Sequence, residues 1–414
     1  MDQEQNEIRY KDKQYVAYLV ITILFTISYY ELFWGRASNQ LVKGMVGGLM
    51  LLSELLLIIL AVRSYRVNWQ RLNFWVKLLV GATIVYNGLH ILYAAVLDDE
   101  VAYFTFFGNP VFQPAFMLPI TILLGLNAEN FFSLFKSFWR YVVVAGIICL
   151  LRLYVNQFEG VLLLFLIGFA AYMPPRKRFA LFVLAIIYAI FCYAEDARMA
   201  VIRTIVGGVV FVVSYFSLWR HQKLLKVVYV ISAVVPFYFM ALFVKTGYSV
   251  FEHSEATSRI SQLGADDTGD TRTFLYEELF EDLTENNAWV LGKGINGTYY
   301  SSYFDQKNVE SDVAERKGSE VGFLNYILKG GIVQAVLYLL LLLWSSYNCL
   351  FRSNSKAVML IGVILLAHFL FLFVEEVPRY DLYNIAMWFC IGMGFSDTVL
   401  EWEDDYFENQ IMMS

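Results

Sequence analysis

Apolar residues in this chain fall into blocks of roughly 17 to 25, the length of helix that crosses about 30 Å of hydrocarbon. The blocks lie near residues 15–34, 41–62, 74–97, 111–128, 138–155, 160–173, 178–194, 199–218, 224–245, 321–345, 356–375 and 381–399. That pattern predicts about twelve spans, with a range of roughly eleven to thirteen because 160–173 is short and 98–137 is ambiguous. Composition agrees. Only 16% of the 414 residues are charged and 58% are hydrophobic, against about 25% charged in soluble domains. The expected fold class is an all-α polytopic membrane protein.

Charge placement predicts the orientation. The opening "MDQEQNEIRYKDKQ" is charged and runs into a full-length span with no small-residue cleavage site. It reads as a cytoplasmic tail rather than a removable signal. With that end inside, the inner connections carry Arg63, Arg66 and Arg71, then Lys136 and Arg140, Arg176 to Arg178, Arg220, Lys223 and Lys226, and Arg352 and Lys356. The short outer connections are poor in Lys and Arg, as the positive-inside rule requires.

The predicted architecture is lopsided. Residues 1–245 form an N-terminal bundle of about nine spans, and residues 246–319 one large extracytoplasmic loop. Residues 320–414 hold about three more spans and an acidic cytoplasmic tail. Connections this long usually carry function or lack structure. This one is expected to be partly helical, because "TRTFLYEELFEDLTEN" sets Phe274, Leu275, Leu279, Phe280 and Leu283 at helical spacing. Asp270 or Thr271 is the candidate N-cap. A Gly-rich turn, "LGKGING", follows.

Two further charged clusters fall on the loop's side of the membrane: "EDAR" at the start of the eighth span and "EEVPRYD" between the last two. Arg203 stands out because apolar residues flank it on both sides. A charge in hydrocarbon costs about 2.5–3.5 kcal/mol even on a lenient scale, which makes it a functional candidate. As a structural ion pair it would take Asp196, on the same helical stripe, or Glu54 of the second span.

Several chemistries are not called for. There is no Walker loop, dinucleotide fingerprint or nucleophile elbow. The histidines lack companions at metal-ligand spacing, and Cys149, Cys192, Cys349 and Cys390 read as small hydrophobes. No metal, cofactor or nucleic acid is therefore expected. What remains is an outward-facing arginine and carboxylate site at the lipid interface. Arginine forks suit pyrophosphate, and carboxylates suit deprotonating a hydroxyl.

This pattern resembles the O-antigen polymerase (Wzy-type) and O-antigen ligase group of bacterial envelope glycosyltransferases, over roughly residues 185–395. "EDARMAVIRT" is similar to the family's arginine at the outer start of a span, placing it at Arg198. "GDTRTFLYEELFEDLTENNAWVLGKG" supplies the loop arginine, aromatic and Gly-x-Gly as Arg272, Trp289, Gly292 and Gly294. "GSEVGFLNYILKGGIVQAVLYLLLL" fits the segment after the loop. Where ligases present a His-Asn pair, this chain has Glu320-Val321, which favours a polymerase.

The resemblance implies a multi-pass protein of the bacterial cytoplasmic membrane, with both termini cytoplasmic and the loop periplasmic. Undecaprenyl-pyrophosphate-linked oligosaccharide would be both donor and acceptor, with a flippase and a chain-length regulator as further partners. Arg198 and Arg272 would contact the pyrophosphate, assisted by Arg203 or Arg379. Glu320, or one of Glu195, Asp196 and Glu375, would take the acceptor proton. Gly292 and Gly294 would shape the substrate side. The alternatives are a ligase that transfers finished glycan to a lipid or protein, and a transporter of lipid-linked sugars.

Overall fold

The computed structural model describes residues 17, 18, 21, 40–97, 114–127, 130–135, 139, 167–194, 198–216, 222–246, 271–301, 315–374, 376, 378, 380 and 382–413. Most of the expected spans at 15–34, 138–155 and 160–173 lies outside these residues. So do Glu195, Asp196, Glu375 and Arg379.

Long apolar helices dominate the described chain. They are α1 (Gln40–Asn68), α2 (Phe74–Leu97), α4 (Pro175–Ala194), α5 (Arg198–Tyr215) and α6 (Gln222–Thr246), with the single turn α3 (Ile122–Gly125) between α2 and α4. The loop contributes α7 (Thr271–Glu285) and a two-residue antiparallel pair, β1 (Tyr299–Tyr300) and β2 (Glu315–Arg316), with Tyr299 opposite Arg316. Then come α8 (Gly322–Phe351), α9 (Lys356–Phe371), α10 (Leu382–Met393), α11 (Asp397–Leu400) and α12 (Asp404–Met413). Among the described residues, three stretches are long and apolar enough to cross a membrane: Phe74–Ala94, Lys223–Leu242 and Gly322–Phe351. The outward faces are apolar too, as at Leu52, Leu55 and Ile59 of α1 and Val85, Leu89 and Leu92 of α2.

The block at 111–128 is not one straight span. A 3-10 stretch, Pro114–Thr121, leads into the four residues of α3. Pro119 lacks the N–H that a continuous α-helix would use there. The last block also ends early, since α10 stops at Met393 and α11 is separate.

The core is the antiparallel set α8, α9 and α10, closed by α3. Small residues let these backbones approach, as they do in membrane bundles. A Cβ on Gly362 would fall 2.7 Å from Leu350 Cγ, and one on Gly125 only 1.9 Å from the Phe389 carbonyl oxygen. Hydroxyls and amides then tie helix to helix. Ser346 donates to the Gly362 carbonyl at 2.8 Å, and Asn348 to that of Gly394 at 2.9 Å. Below them, Phe407 of α12 is fully buried against Phe131 and Phe169, anchoring the acidic tail.

Candidate functional site

Arg203 faces the bundle, not the surrounding lipid. Arg203, Val210 and Ser214 are buried along one face of α5, while Ile202, Ile205, Val209 and Val212 are exposed. The guanidinium donates from Nη2 to Glu376 Oε2 at 3.0 Å, and its carbon lies 5.6 Å from the Phe371 ring centroid. The partner is therefore Glu376, from the turn between α9 and α10. Glu376 was not among the candidates named from sequence. Asp196 lies outside the described residues, and Glu54, though buried, forms no ion pair among them.

The turn bearing Glu376 is clasped from several sides. Gly322, at the first position of α8, has room only for hydrogen, because a Cβ would fall 2.0 Å from the Glu376 carbonyl oxygen. The Phe323 N–H donates to the Leu372 carbonyl at 2.9 Å. From the loop helix, the Tyr276 hydroxyl donates to the Phe373 carbonyl at 3.1 Å. Three helices, α5, α7 and α8, thus meet on the turn that follows α9.

Behind the ion pair runs a buried polar chain. Tyr338 of α8 shares a hydrogen bond with His368 Nε2 at 2.7 Å, and His368 Nδ1 shares one with the Tyr383 hydroxyl at 3.1 Å. The Tyr326 and Trp388 rings pack on Tyr338 at 4.5 and 4.6 Å.

The loop helix α7 forms as its periodicity predicts, burying Leu275, Tyr276, Leu279 and Leu283. Thr271 is its first residue rather than its cap, and Asp270 lies outside the described residues. Asn287 follows the helix in the left-handed region at φ 51°, where asparagine is among the few residues that fit. The chain then enters a break in α8. At Gly331 the helix has φ 66° and ψ −171°, which interrupts its own ladder of hydrogen bonds. The loop supplies replacements. Lys293 N–H donates to the Leu328 carbonyl at 2.7 Å and Gly294 N–H to that of Lys329 at 2.9 Å. In return, Ile332 N–H donates to the Trp289 carbonyl at 2.8 Å. Tyr86 of α2 donates to the Gly330 carbonyl at 2.7 Å. A broken helix in a membrane persists where its freed groups find partners, and here the loop provides most of them.

Lys329 is buried at this junction and donates to the Gly297 carbonyl at 2.5 Å. Lys293 pairs with Asp282 of α7 at 2.6 Å. Near the loop's end, Asn325 accepts from Ser319 N–H at 2.7 Å and donates to the Ser319 carbonyl at 2.6 Å. Glu320 follows and is exposed. The buried Tyr299 hydroxyl is pushed up to about 12 by desolvation, with Arg316 acting against the rise and Glu278 and Glu320 adding to it.

The candidates separate as follows. Arg203 meets the "EEVPRYD" turn, and Gly292 meets Gly331, where a Cβ on Gly292 would fall 2.6 Å from the Gly331 nitrogen. Arg198 and Arg272 lie in the first turns of α5 and α7, and their side chains are outside the described set. Arg198 is about 7.5 Å along the helix axis from Arg203. Glu320 makes no ion pair with Arg203 among the described residues.

Sequence reading missed Glu376, Lys329 and the Tyr338–His368–Tyr383 chain. Lys329 gave the same signal as Arg203, a charge inside an apolar run. His368 was set aside because it had no companions at metal spacing. Glu376 was hidden in a doublet of acids.

Comparison with known families bears on this region. Residues 180–339 match the family model described as O-antigen ligase, Wzy_C. Over that segment the chain is similar to the O-antigen polymerase and ligase group. It runs from α4 into α8 just past the Gly331 break, and contains Arg198, Arg203, Arg272, Gly292, Gly294 and Glu320. Glu376 and His368 lie beyond the matched residues. No curated protein and no solved structure matches the chain. Family and apolar helices together mark an integral membrane protein.

Proposed function

We propose that this protein polymerises undecaprenyl-pyrophosphate-linked oligosaccharide repeat units into O-antigen or another surface polysaccharide at the outer face of the cytoplasmic membrane. The observation that carries the reading is a buried arginine, Arg203, inside an apolar helix of the O-antigen ligase-type segment. In the reaction the acceptor hydroxyl oxygen attacks the donor's anomeric carbon. The bond from that carbon to the phosphate oxygen breaks, and lipid pyrophosphate leaves with its negative charge. Arginines stay protonated at every relevant pH and stabilise that charge as it develops. Arg198 and Arg272 are assigned to the pyrophosphate, with Arg203 or Arg379 supporting them.

The acceptor proton needs a carboxylate in water-accessible contact with the loop. Glu320 is exposed at the entry to α8, beside the strand carrying Arg316, and suits that task. Glu195, Asp196 and Glu375 remain the other carboxylates assigned to this surface. Gly292 and Gly294 serve the substrate side by fixing the loop onto α8.

A second reading keeps the donor and changes the acceptor. The family description names the ligase reaction, in which finished glycan passes to a lipid or protein. Glu320-Val321, in place of the His-Asn pair of ligases, is what favours polymerisation. The deciding experiment gives purified protein in nanodiscs lipid-linked repeat units from the source cell and resolves the products by glycan length. A ladder is expected. A single transfer to a foreign lipid or protein acceptor would establish the ligase instead. Substrate crossing a sealed vesicle without any new bond would establish transport.

A further inference from the structure

We infer that Glu376 is a positioning residue that holds Arg203 in register for the pyrophosphate end of the donor; the inference rests on the glycosyl-transfer reading above. Glu376 lies outside the family-matched residues, so the argument is geometric.

First, the pair is a poor adhesive. Replacing a buried ion pair with apolar residues of similar volume is often neutral or stabilising. A pair at 8% and 4% side-chain exposure is thus better explained by a need for the arginine's charge at this depth. Second, the guanidinium is fixed in two directions, by a carboxylate oxygen at its edge and by the Phe371 ring. Together these fix the plane of its fork, which bidentate recognition of phosphate oxygens demands. Third, Glu376 is itself immobilised by main-chain contacts from outside its own turn. Gly322 abuts its carbonyl, Phe323 N–H holds Leu372, and the Tyr276 hydroxyl holds Phe373. Tyr276 sits on the helix that carries Arg272 in its first turn, and Gly322 begins two residues after Glu320. One turn therefore sets the relation between α5, the loop helix and the start of α8.

The test uses full-length protein in nanodiscs and measures kcat and KM for lipid-linked repeat units. Membrane accumulation and gel-filtration profile are recorded for each variant. Glu376→Gln is expected to lower kcat/KM roughly tenfold to a hundredfold, mostly through KM for the donor, with Glu376→Asp intermediate. The charge swap Arg203→Glu with Glu376→Arg keeps a pair at this place. It is expected to restore accumulation without restoring product. Product restored by the swap, or wild-type kinetics in Glu376→Gln, would overturn the inference. If Glu376→Gln does not accumulate, the swap decides. If the wild type joins no repeat units, the glycosyl-transfer reading fails by itself. Binding of undecaprenyl pyrophosphate then judges the inference: weaker binding by Glu376→Gln sustains it, and equal binding overturns it.

Discussion

Gly292 of the loop and Gly331 of α8 meet backbone to backbone, each at positive φ, at the point where the loop is threaded into the broken helix. A Cβ on Gly331 would fall 2.1 Å from the Val290 carbonyl oxygen, whereas one on Gly294 meets nothing within 4 Å.

That contrast orders three substitutions. Gly294→Ala is expected to cost only the left-handed backbone penalty, about 1–2 kcal/mol. Gly292→Ala and Gly331→Ala add a main-chain collision to that penalty and should destabilise more. Thermal unfolding of the purified protein checks the ranking, and equal losses at all three positions would argue against the threaded arrangement.

The Tyr338–His368–Tyr383 chain makes two hydrogen bonds, each worth about 0.5–1.5 kcal/mol net. His368→Phe is expected to cost the sum of these. Adding Tyr338→Phe should then cost less than it does alone, because the shared bond is already gone. A double-mutant cycle in denaturant reads this coupling.

Burial raises the Tyr299 hydroxyl from its ordinary value near 10 to about 12. Folding therefore favours the neutral phenol. The associated stability is fully present below pH 10 and is lost as pH rises through 12. Subtracting the phenolate absorbance of Tyr299→Phe from that of the wild type during an alkaline titration isolates this group. A step near 10 would contradict its buried placement.

Arg272 opens α7 as the sequence reading expects. Arg272→Ala should abolish polymer while leaving membrane accumulation normal. Retained polymer length and yield would remove it from the site. Glu320→Gln should slow the reaction by roughly a hundredfold or more if this carboxylate takes the acceptor proton. Unchanged rates would pass that role to another of the outer carboxylates.

Long-period signals in the sequence carried over well. The block at 74–97 coincides with α2, and the apolar spacing of "FLYEELFEDL" anticipates the face that α7 buries. Arg203 was conspicuous for a physical reason, since a charge in an apolar run needs a partner. Its partner was not legible, because Glu376 is 173 residues away and pairing at that range depends on how helices pack. The break in α8 was hidden for a similar reason. Gly330-Gly331 within an apolar run looks like helix–helix packing until the loop that replaces its hydrogen bonds is in place. Local periodicity also passed over Pro119, which turned an expected span into a 3-10 segment and a short helix.

The measurement closest to the central claim is the stoichiometry of the reaction in nanodiscs, counting lipid pyrophosphate released per repeat unit joined. The account expects one released for each new glycosidic bond in the wild type and neither product in Arg272→Ala. Glycan that lengthens without release of lipid pyrophosphate, or release without lengthening or transfer, would contradict it.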